Sequence, residues 1–209
     1  MKTDLLNADL PGAMEEAARL LGCGELVAFP TDTLYGVGAS LFDGDAVRRL
    51  YEVKERPLTK GIPVLLADAQ NVDQVAISLS DQARALMARF WPGPLTMIVT
   101  RRAGLPAILA PGDTIAIRLP DHALARRLFR AAGGAVATSS ANLSGSRPAL
   151  TAAEALAAFD GRIAAILDGG PVRLGQASTI VDCTVTPPRI IRQGPIPAEA
   201  LLKVMAGSS

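Results

Sequence analysis

The stretch IAAILDGGPVRLGQASTIVDCTVTPPRIIRQG (residues 163–194) contains three short runs rich in β-branched and aliphatic residues. The runs IAAIL (163–167), STIVD (178–182) and RIIRQG (189–194) are separated by segments that contain glycine or proline. This pattern predicts three strands joined by loops. Because no helix is predicted between these strands, they favour a mixed sheet over a purely parallel one.

Helices and strands alternate in the rest of the chain. A first helix is predicted to start at Asp9 and Pro11, Asp43 is predicted to cap the second, and Thr151 and Glu154 form a capping box. Further helices are predicted over 80–90, 123–132 and 197–205, and strands over 25–30, 62–67, 95–100, 114–119 and 135–138. The predicted fold class is therefore α/β, with a mixed parallel and antiparallel sheet and helices.

Composition narrows the class of protein. The 209 residues are 49% hydrophobic, which suits one domain with a substantial core. The 21 Lys and Arg residues balance 20 Asp and Glu residues, which argues against a nucleic-acid coat protein or a membrane-surface protein. The chain has no apolar run of signal-peptide or membrane-span length, so a soluble, cytoplasmic protein is predicted. Cys23 and Cys183 form no CxxC pair and are predicted to be buried thiols.

The segment FPTDTLYGVGA (29–39) concentrates hydroxyls, an acid and two glycines at the end of an apolar strand. Such a turn allows close approach of a ligand, with Gly36 and Gly38 leaving room for it. An ordinary strand and loop rich in turn-forming residues is the alternative. Gly36-x-Gly38 lacks the third glycine of a dinucleotide-binding fingerprint, and the sequence contains no GxxxxGK[ST] loop. Both observations disfavour Rossmann and Walker nucleotide-binding sites.

Two further segments carry groups suited to phosphates. KERPLTK (54–60) places Lys54, Arg56 and Lys60 close together, which suits a polyphosphate, although Lys54 could simply cap a helix. TSSANLSG (138–145) offers hydroxyls and an amide at the end of a small apolar strand, with a plain turn as the alternative. We expect these segments and 31–38 to meet in one pocket that binds a nucleoside triphosphate and a small anion.

Single polar residues in the later strands extend this expectation. Arg118 interrupts the apolar strand TIAIRL (114–119), and its face is either a pocket wall or exposed to solvent. Ser178 and Arg192 raise the same question. The single histidine, His122, stands at the start of a predicted helix and is interpreted as a surface or capping residue, which leaves no Ser-His-Asp arrangement.

Seven strings, FPTDTLYGVG, KERP, FWPGPLT, TIAIRLPDH, TSSANLSG, ASTIVD and IIRQG, together resemble the YrdC/Sua5 family of threonylcarbamoyl-AMP synthases. The resemblance runs from about Leu10 to Pro195. It implies a YrdC-like fold, in which a twisted mixed sheet curls around a deep basic cavity. It also implies the joining of L-threonine, bicarbonate and ATP into threonylcarbamoyl-AMP and pyrophosphate. Downstream transferase proteins would then pass the group to adenosine 37 of tRNA.

The resemblance assigns roles to individual residues. The implied threonine contacts are Thr33, Arg118, Thr138 and Ser178. The implied ATP contacts are Arg56, Lys60, Thr114, Ser140, Asn142 and Arg192. Lys54 and Arg56 would be the catalytic residues, and Mg²⁺ would arrive with ATP without dedicated protein ligands.

The sequence departs from the family pattern at two places. Many members have a histidine where this chain has Leu65 and Leu66, and a serine where Pro148 stands. Residues 1–209 are expected to form a single YrdC-like domain without the second domain of the long form.

Two alternative functions stay open at this point. One is an RNA-binding or ribosome-associated module without catalysis, which the near-neutral charge and 4% aromatic content disfavour. The other is a related carbamoyl-transfer enzyme. Weak direct binding of tRNA is compatible with each interpretation.

Overall fold

The computed structural model describes residues 2–207, whose helices and strands alternate over most of their length. In chain order they are β1 (Asp4–Asn7), α1 (Ala13–Gly22), β2 (Val27–Phe29), β3 (Gly36–Ser40), α2 (Gly44–Val53), β4 (Val64–Leu66), α3 (Asp81–Phe90), β5 (Leu95–Thr100), β6 (Thr114–Arg118), α4 (Ala123–Ala131), β7 (Ala135–Ser140), α5 (Ala152–Phe159), β8 (Ala165–Asp168), β9 (Thr179–Asp182), β10 (Arg189–Arg192) and α6 (Ala198–Met205). In this part of the chain no helix is long and apolar enough to cross a membrane.

All these strands belong to one ten-stranded sheet with the order β1-β8-β2-β3-β7-β4-β6-β5-β9-β10. The pairs β1–β8, β2–β8, β4–β6 and β5–β9 are parallel. The pairs β2–β3, β3–β7, β4–β7, β5–β6 and β9–β10 are antiparallel. The predicted mixed sheet is therefore confirmed, and the late strands β9 and β10 do pair antiparallel.

Side-chain caps fix several helix starts where the sequence predicted them. Asp43 Oδ1 accepts hydrogen bonds from the backbone N–H groups of Asp45 and Ala46, each 3.0 Å long, at the start of α2. Thr151 Oγ1 accepts from Glu154 N at 3.2 Å at the start of α5. The Glu154 carboxylate accepts a hydrogen bond from Leu150 N at 2.6 Å. Its partner is therefore one residue earlier than Thr151 N, the backbone group that the predicted capping box would use.

The first helix and two short strands differ from the predictions. Helix α1 begins after Gly12, which has a left-handed φ of 84° and no side chain that could cap the helix. The predicted start at Asp9 and Pro11 is therefore wrong. Strand β1 was not predicted, because its four mostly exposed residues lack the β-branched pattern of a strand. Cys23, the residue that follows α1, is exposed, so the prediction of a buried thiol at this position is wrong.

Strand β3 was also missed, because its sequence GVGAS reads as a turn. It is buried between β2 and β7. A Cβ on Gly38 would lie 2.7 Å from Val136 Cγ1 and 2.8 Å from Phe29 Cε1. Gly38 therefore makes room for neighbouring side chains of the core, whereas Gly36 also lines the cavity described below.

Replacing Gly38 by alanine is expected to lower the free energy of unfolding by about 1–3 kcal/mol, because the added methyl group overpacks a filled region. Urea denaturation followed by circular dichroism would measure the loss. Gly44→Ala is the matched control, because its Cβ would meet nothing closer than Pro106 Cβ at 3.8 Å. Equal stability of the Gly38→Ala variant and the wild type would contradict the packing argument.

Two apolar clusters cover the two faces of the sheet. Along β4, Leu65 belongs to the smaller cluster and Leu66 to the larger one, as the alternation of a strand requires. Helices α1 and α4 pack on the Leu65 face, where Phe29 and Phe129 meet edge to face with ring centroids 5.0 Å apart. The other helices pack on the Leu66 face. The part of the Leu65 face that α1 and α4 do not cover forms the floor of a cavity.

Candidate functional site

A cavity of about 270 Å³ opens on this face of the sheet. Seven of the residues predicted to contact ligand line it, namely Thr33, Arg56, Arg118, Thr138, Ser140, Ser178 and Arg192. They come from segments far apart in sequence and from both halves of the sheet. The structure thus brings together the main part of the predicted pocket.

Strand register explains how these side chains share one face. In the antiparallel pair β3–β7, Gly36 lies opposite Ser140 and Gly38 opposite Thr138. In the parallel pair β4–β6, Leu65 lies beside Arg118. Because alternate residues of a strand point to the same side, the floor of the cavity is a row of residues from neighbouring strands.

Arg118 is fixed by three groups at the cavity wall. Its Nη1 donates to Thr33 Oγ1 at 2.8 Å, its Nε donates to Gly93 O at 3.0 Å, and its Nη2 forms a buried ion pair with Asp32. Burial lowers the pKa of the Arg118 guanidinium, whereas Asp32 raises it. The side chain is thus a preorganised cation in which two N–H donors remain for a ligand.

Asp32 is a site residue that sequence reasoning missed. It is 1% exposed, and among residues 2–207 its Oδ2 atom accepts no hydrogen bond. The available signal was an acid flanked by threonines directly after an apolar strand. Its partner, Arg118 on β6, is 86 residues away in sequence, so that signal could not predict which residue Asp32 pairs with.

Replacing Asp32 by asparagine is expected to lower the free energy of unfolding by about 3–5 kcal/mol, because it leaves the Arg118 charge buried without a counter-charge. Asp121→Asn is the matched control. Asp121 pairs with Arg173 at 2.7 Å on the surface, so its loss is expected to cost at most about 1 kcal/mol. Urea denaturation of both variants at one pH would measure the difference, and equal costs would contradict the argument from burial.

Ser178 and Arg192 form the opposite wall. Arg192 donates from Nε and Nη2 to Ser178 O at 3.1 and 2.8 Å, and Ser178 Oγ lies 2.7 Å from Thr96 Oγ1. Burial lowers the pKa of Arg192. Thr96, which was not predicted, also lines the cavity. This wall therefore presents a guanidinium from β10, a hydroxyl from β5 and the hydroxyl of Ser178, the residue directly before β9.

Arg56 is held by the turn that follows α2. Its Nε donates to Lys60 O at 2.9 Å and its Nη2 donates to Gly61 O at 2.7 Å. Burial lowers the pKa of Arg56. Lys60 lies in the same turn, but it is exposed and does not line the cavity, so its contact with ATP stays a prediction.

Lys54 lies beneath the cavity rather than in its lining. It is 1% exposed, and its Nζ donates to Asn142 O at 2.6 Å and to Ser140 O. It therefore binds the carbonyls of the 140–142 segment instead of simply capping α2. Burial, followed by the nearby Arg56 charge, lowers the pKa of Lys54 to about 7.

Asn142 shapes the same segment from its other side. Its Oδ1 accepts from Ser140 Oγ at 2.5 Å, and its Nδ2 donates to Leu143 O and Ser146 O, each at 2.7 Å. Asn142 is buried and does not line the cavity. Lys54 and Asn142 are thus placed to fix the loop that presents Ser140.

Thr114 and His122 lie outside the cavity. Thr114 is exposed at the far end of β6, four residues or about 13 Å from Arg118, so its contact with ATP also stays a prediction. The structure does not bring it to the other predicted contacts. His122 caps α4, accepting on Nδ1 from Ala125 N at 3.4 Å, as a capping residue was expected to do.

Both departures from the family pattern concern residues of the cavity lining. Leu65 and Pro148 line it, whereas Leu66 points into the larger apolar cluster on the other face. Of these two leucines, Leu65 is therefore the one that faces the cavity.

Comparisons with known proteins identify the family of the chain. The Sua5/YciO/YrdC family model, described as "Telomere recombination", matches residues 19–194. A Threonylcarbamoyl-AMP synthase of Pyrococcus abyssi is 39% identical over 191 residues, which are 90% of this chain and 56% of that protein. A Threonylcarbamoyl-AMP synthase of Bacillus subtilis is 43% identical over 206 residues, which are 97% of this chain and 59% of that protein. The chain thus spans less than two thirds of the length of these relatives.

Solved structures show the same fold. The crystal structure of Pyrococcus abyssi Sua5 complexed with L-threonine superposes with a TM-score of 0.92 at 34% identity, covering 98% of this chain and 61% of that chain. Escherichia coli YciO gives a TM-score of 0.84 at 23% identity, covering 96% and 98%, a likeness that concerns the fold alone. From the matched residues, the relatives and the shared sheet, it follows that the chain belongs to the Sua5/YciO/YrdC family.

Proposed function

We propose that this protein is a threonylcarbamoyl-AMP synthase, which joins L-threonine, bicarbonate and ATP and releases pyrophosphate. The observation that carries the proposal is that Arg118 with Thr33 and Arg56 with Ser140 face one cavity. The first pair suits the carboxylate and the amino group of an amino acid, and the second suits a triphosphate. The names of the Pyrococcus and Bacillus relatives support the same activity.

The chemistry explains why the cavity needs no acid–base pair. The nucleophile would be a carboxylate oxygen of N-carboxy-threonine, which is already anionic. It would form a bond to the α-phosphorus as the bond between that phosphorus and pyrophosphate breaks, so this step removes no proton. The amine loses its protons earlier, when the ammonium group of threonine and bicarbonate combine to the carbamate with release of water and one proton to solvent. The remaining tasks are to align anions that repel one another and to stabilise the charge that moves onto pyrophosphate.

The arginines of the cavity suit those two tasks. Arg118 would hold the threonine carboxylate by a forked pair of hydrogen bonds, and Thr138 and Ser178 would bind the amine and the side-chain hydroxyl. Arg56 and Arg192 would bind the phosphates. Lys54 would act by holding the 140–142 loop in place.

We also propose that Mg²⁺ enters with ATP. The lining offers hydroxyl and guanidinium groups, and among residues 2–207 there is no cluster of three or more His, Cys, Asp or Glu that could hold a metal. This donor set fits an ion bound mainly by phosphate oxygens and water, which is the usual coordination of Mg²⁺ beside nucleotides. When bound, the ion would neutralise phosphate charge.

The product would be consumed in the cytoplasm by transferase proteins that modify adenosine in tRNA. Threonylcarbamoyl-AMP is a mixed anhydride and thus an activated acyl donor, which suits transfer of the threonylcarbamoyl group to a nucleophilic amine with release of AMP. Contact of this chain with the tRNA itself is not needed for that step.

Pyrophosphate release tests the proposal. The purified protein is expected to release pyrophosphate from ATP only when L-threonine and bicarbonate are both present. Reactions that lack one of the three substrates are the controls. Absence of release from a protein that is folded by circular dichroism would refute the synthase activity.

A further inference from the structure

Leu65 is an apolar side chain in the cavity lining, close to the polar side chains of Arg118 and Thr138. It lies beside Arg118 in the parallel register of β4 and β6, and opposite Val136 in the antiparallel register of β4 and β7. It is only 6% exposed, yet it lines the cavity together with Arg118 and Thr138. Thr138 lies two residues beyond Val136 on the same face of β7, diagonal to Leu65, so a ligand that contacts both Arg118 and Thr138 passes next to Leu65.

Arg118, beside Leu65, and Thr138, diagonal to it, can bind polar groups of an amino acid, whereas Leu65 cannot. Arg118 offers N–H donors for a carboxylate, and Thr138 offers a hydroxyl. Leu65 can offer only apolar contact, so a polar group placed against it would lose water without gaining a hydrogen bond. An amino acid side chain that carries both a hydroxyl and a methyl group matches this floor better than one that carries a hydroxyl alone.

We propose that Leu65 makes the pocket select threonine over serine by packing against the methyl group of the substrate. This inference rests on the proposed synthase activity and adds a specificity-determining residue to it. A single methyl group in an apolar pocket changes discrimination by about 10- to 200-fold. The wild-type protein is therefore expected to use L-threonine at least about tenfold better than L-serine, measured as the ratio of kcat/KM values.

The test compares that ratio among Leu65 variants in the pyrophosphate assay. Leu65→Ala removes the apolar contact and is expected to lower the threonine-to-serine ratio by about tenfold. Leu65→Met keeps the volume and the apolar surface and is expected to keep the ratio. Valine is smaller than leucine and larger than alanine, so Leu65→Val is expected to give an intermediate threonine-to-serine ratio.

The ratio is insensitive to partial unfolding, because the same preparation is assayed with both substrates. This matters because Leu65 also packs in the smaller apolar cluster. Leu66→Ala is the matched control. It removes the same atoms one residue later on the opposite face and is expected to lower stability without changing the ratio.

Four outcomes would overturn the inference, and they are distinguishable. A wild-type ratio close to one, or an unchanged ratio in Leu65→Ala, would refute the role of Leu65 and leave the synthase activity standing. A fall in the ratio of Leu66→Ala as large as that of Leu65→Ala would refute the positional argument. If the wild type releases no pyrophosphate with threonine and bicarbonate, the proposed function itself fails, and this inference fails with it.

Discussion

Replacing Arg118 by alanine is expected to raise the Kd for L-threonine about 100-fold or more and to leave the Kd for ATP within about threefold. The reason is the geometry of the guanidinium, which Thr33, Gly93 and Asp32 hold in one orientation. Alanine removes both the charge and the forked donors from the amino acid carboxylate. The arginines assigned to the phosphates, Arg56 and Arg192, stay in place.

Isothermal titration with L-threonine and, separately, with a non-hydrolysable ATP analogue would measure the two affinities. Arg118→Lys is a useful second variant, because it keeps a cation beside Asp32 but loses the fork, so a smaller rise of about tenfold is expected. Arg84→Ala, on the exposed side of α3, is the matched control. Unchanged threonine affinity in a folded Arg118→Ala protein would contradict the assignment.

Replacing Lys54 by methionine is expected to lower kcat/KM about 100-fold, although Lys54 does not line the cavity. Its ammonium group holds the carbonyls of Ser140 and Asn142, so its loss frees the loop that carries the Ser140 hydroxyl. Displacement of a contact residue by about 1 Å is enough for a loss of this size. Lys203→Met, an exposed lysine in α6, is the matched control.

The pH dependence of stability gives a second readout for Lys54. Its pKa is lowered from 10.5 to about 7 in the folded chain, so between these values the unfolded chain holds a proton that the folded chain has released. Rising pH therefore favours the folded state over this interval. The Lys54→Met variant is expected to lack that rise in urea denaturation from pH 7 to 10, and an identical rise in both proteins would contradict the assignment.

The parts of the fold that could be predicted are those with local causes. Helix α2 is specified by Asp43 and the apolar spacing behind it, and both signals lie within about ten residues of one another. Strand β3 has no such signal, because its glycines are turn formers by propensity and become strand residues only between β2 and β7. Its pairing is a tertiary effect that overrides local preference.

The site divides in the same way. Arg118 could be predicted because a charge in an apolar strand requires a partner, whereas the identity of that partner, Asp32, depends on the position of β6 in the sheet. Thr96 escaped notice because its contact with Ser178 depends on the parallel pairing of β5 with β9. Lys54 looked like a phosphate ligand from its neighbours in sequence, and its position beneath the 140–142 loop depends on packing.

The pairing of β1 with β8, in which Asp4 lies beside Ala165, also sets the order of events during synthesis on the ribosome. The nascent amino-terminal segment has no strand partner until residue 165 and its neighbours have left the exit tunnel. The wall formed by Ser178 and Arg192 has to wait still longer. Because these contacts join residues so far apart, their closure is slow compared with helix formation. The cavity is therefore expected to be one of the last features of the fold to form.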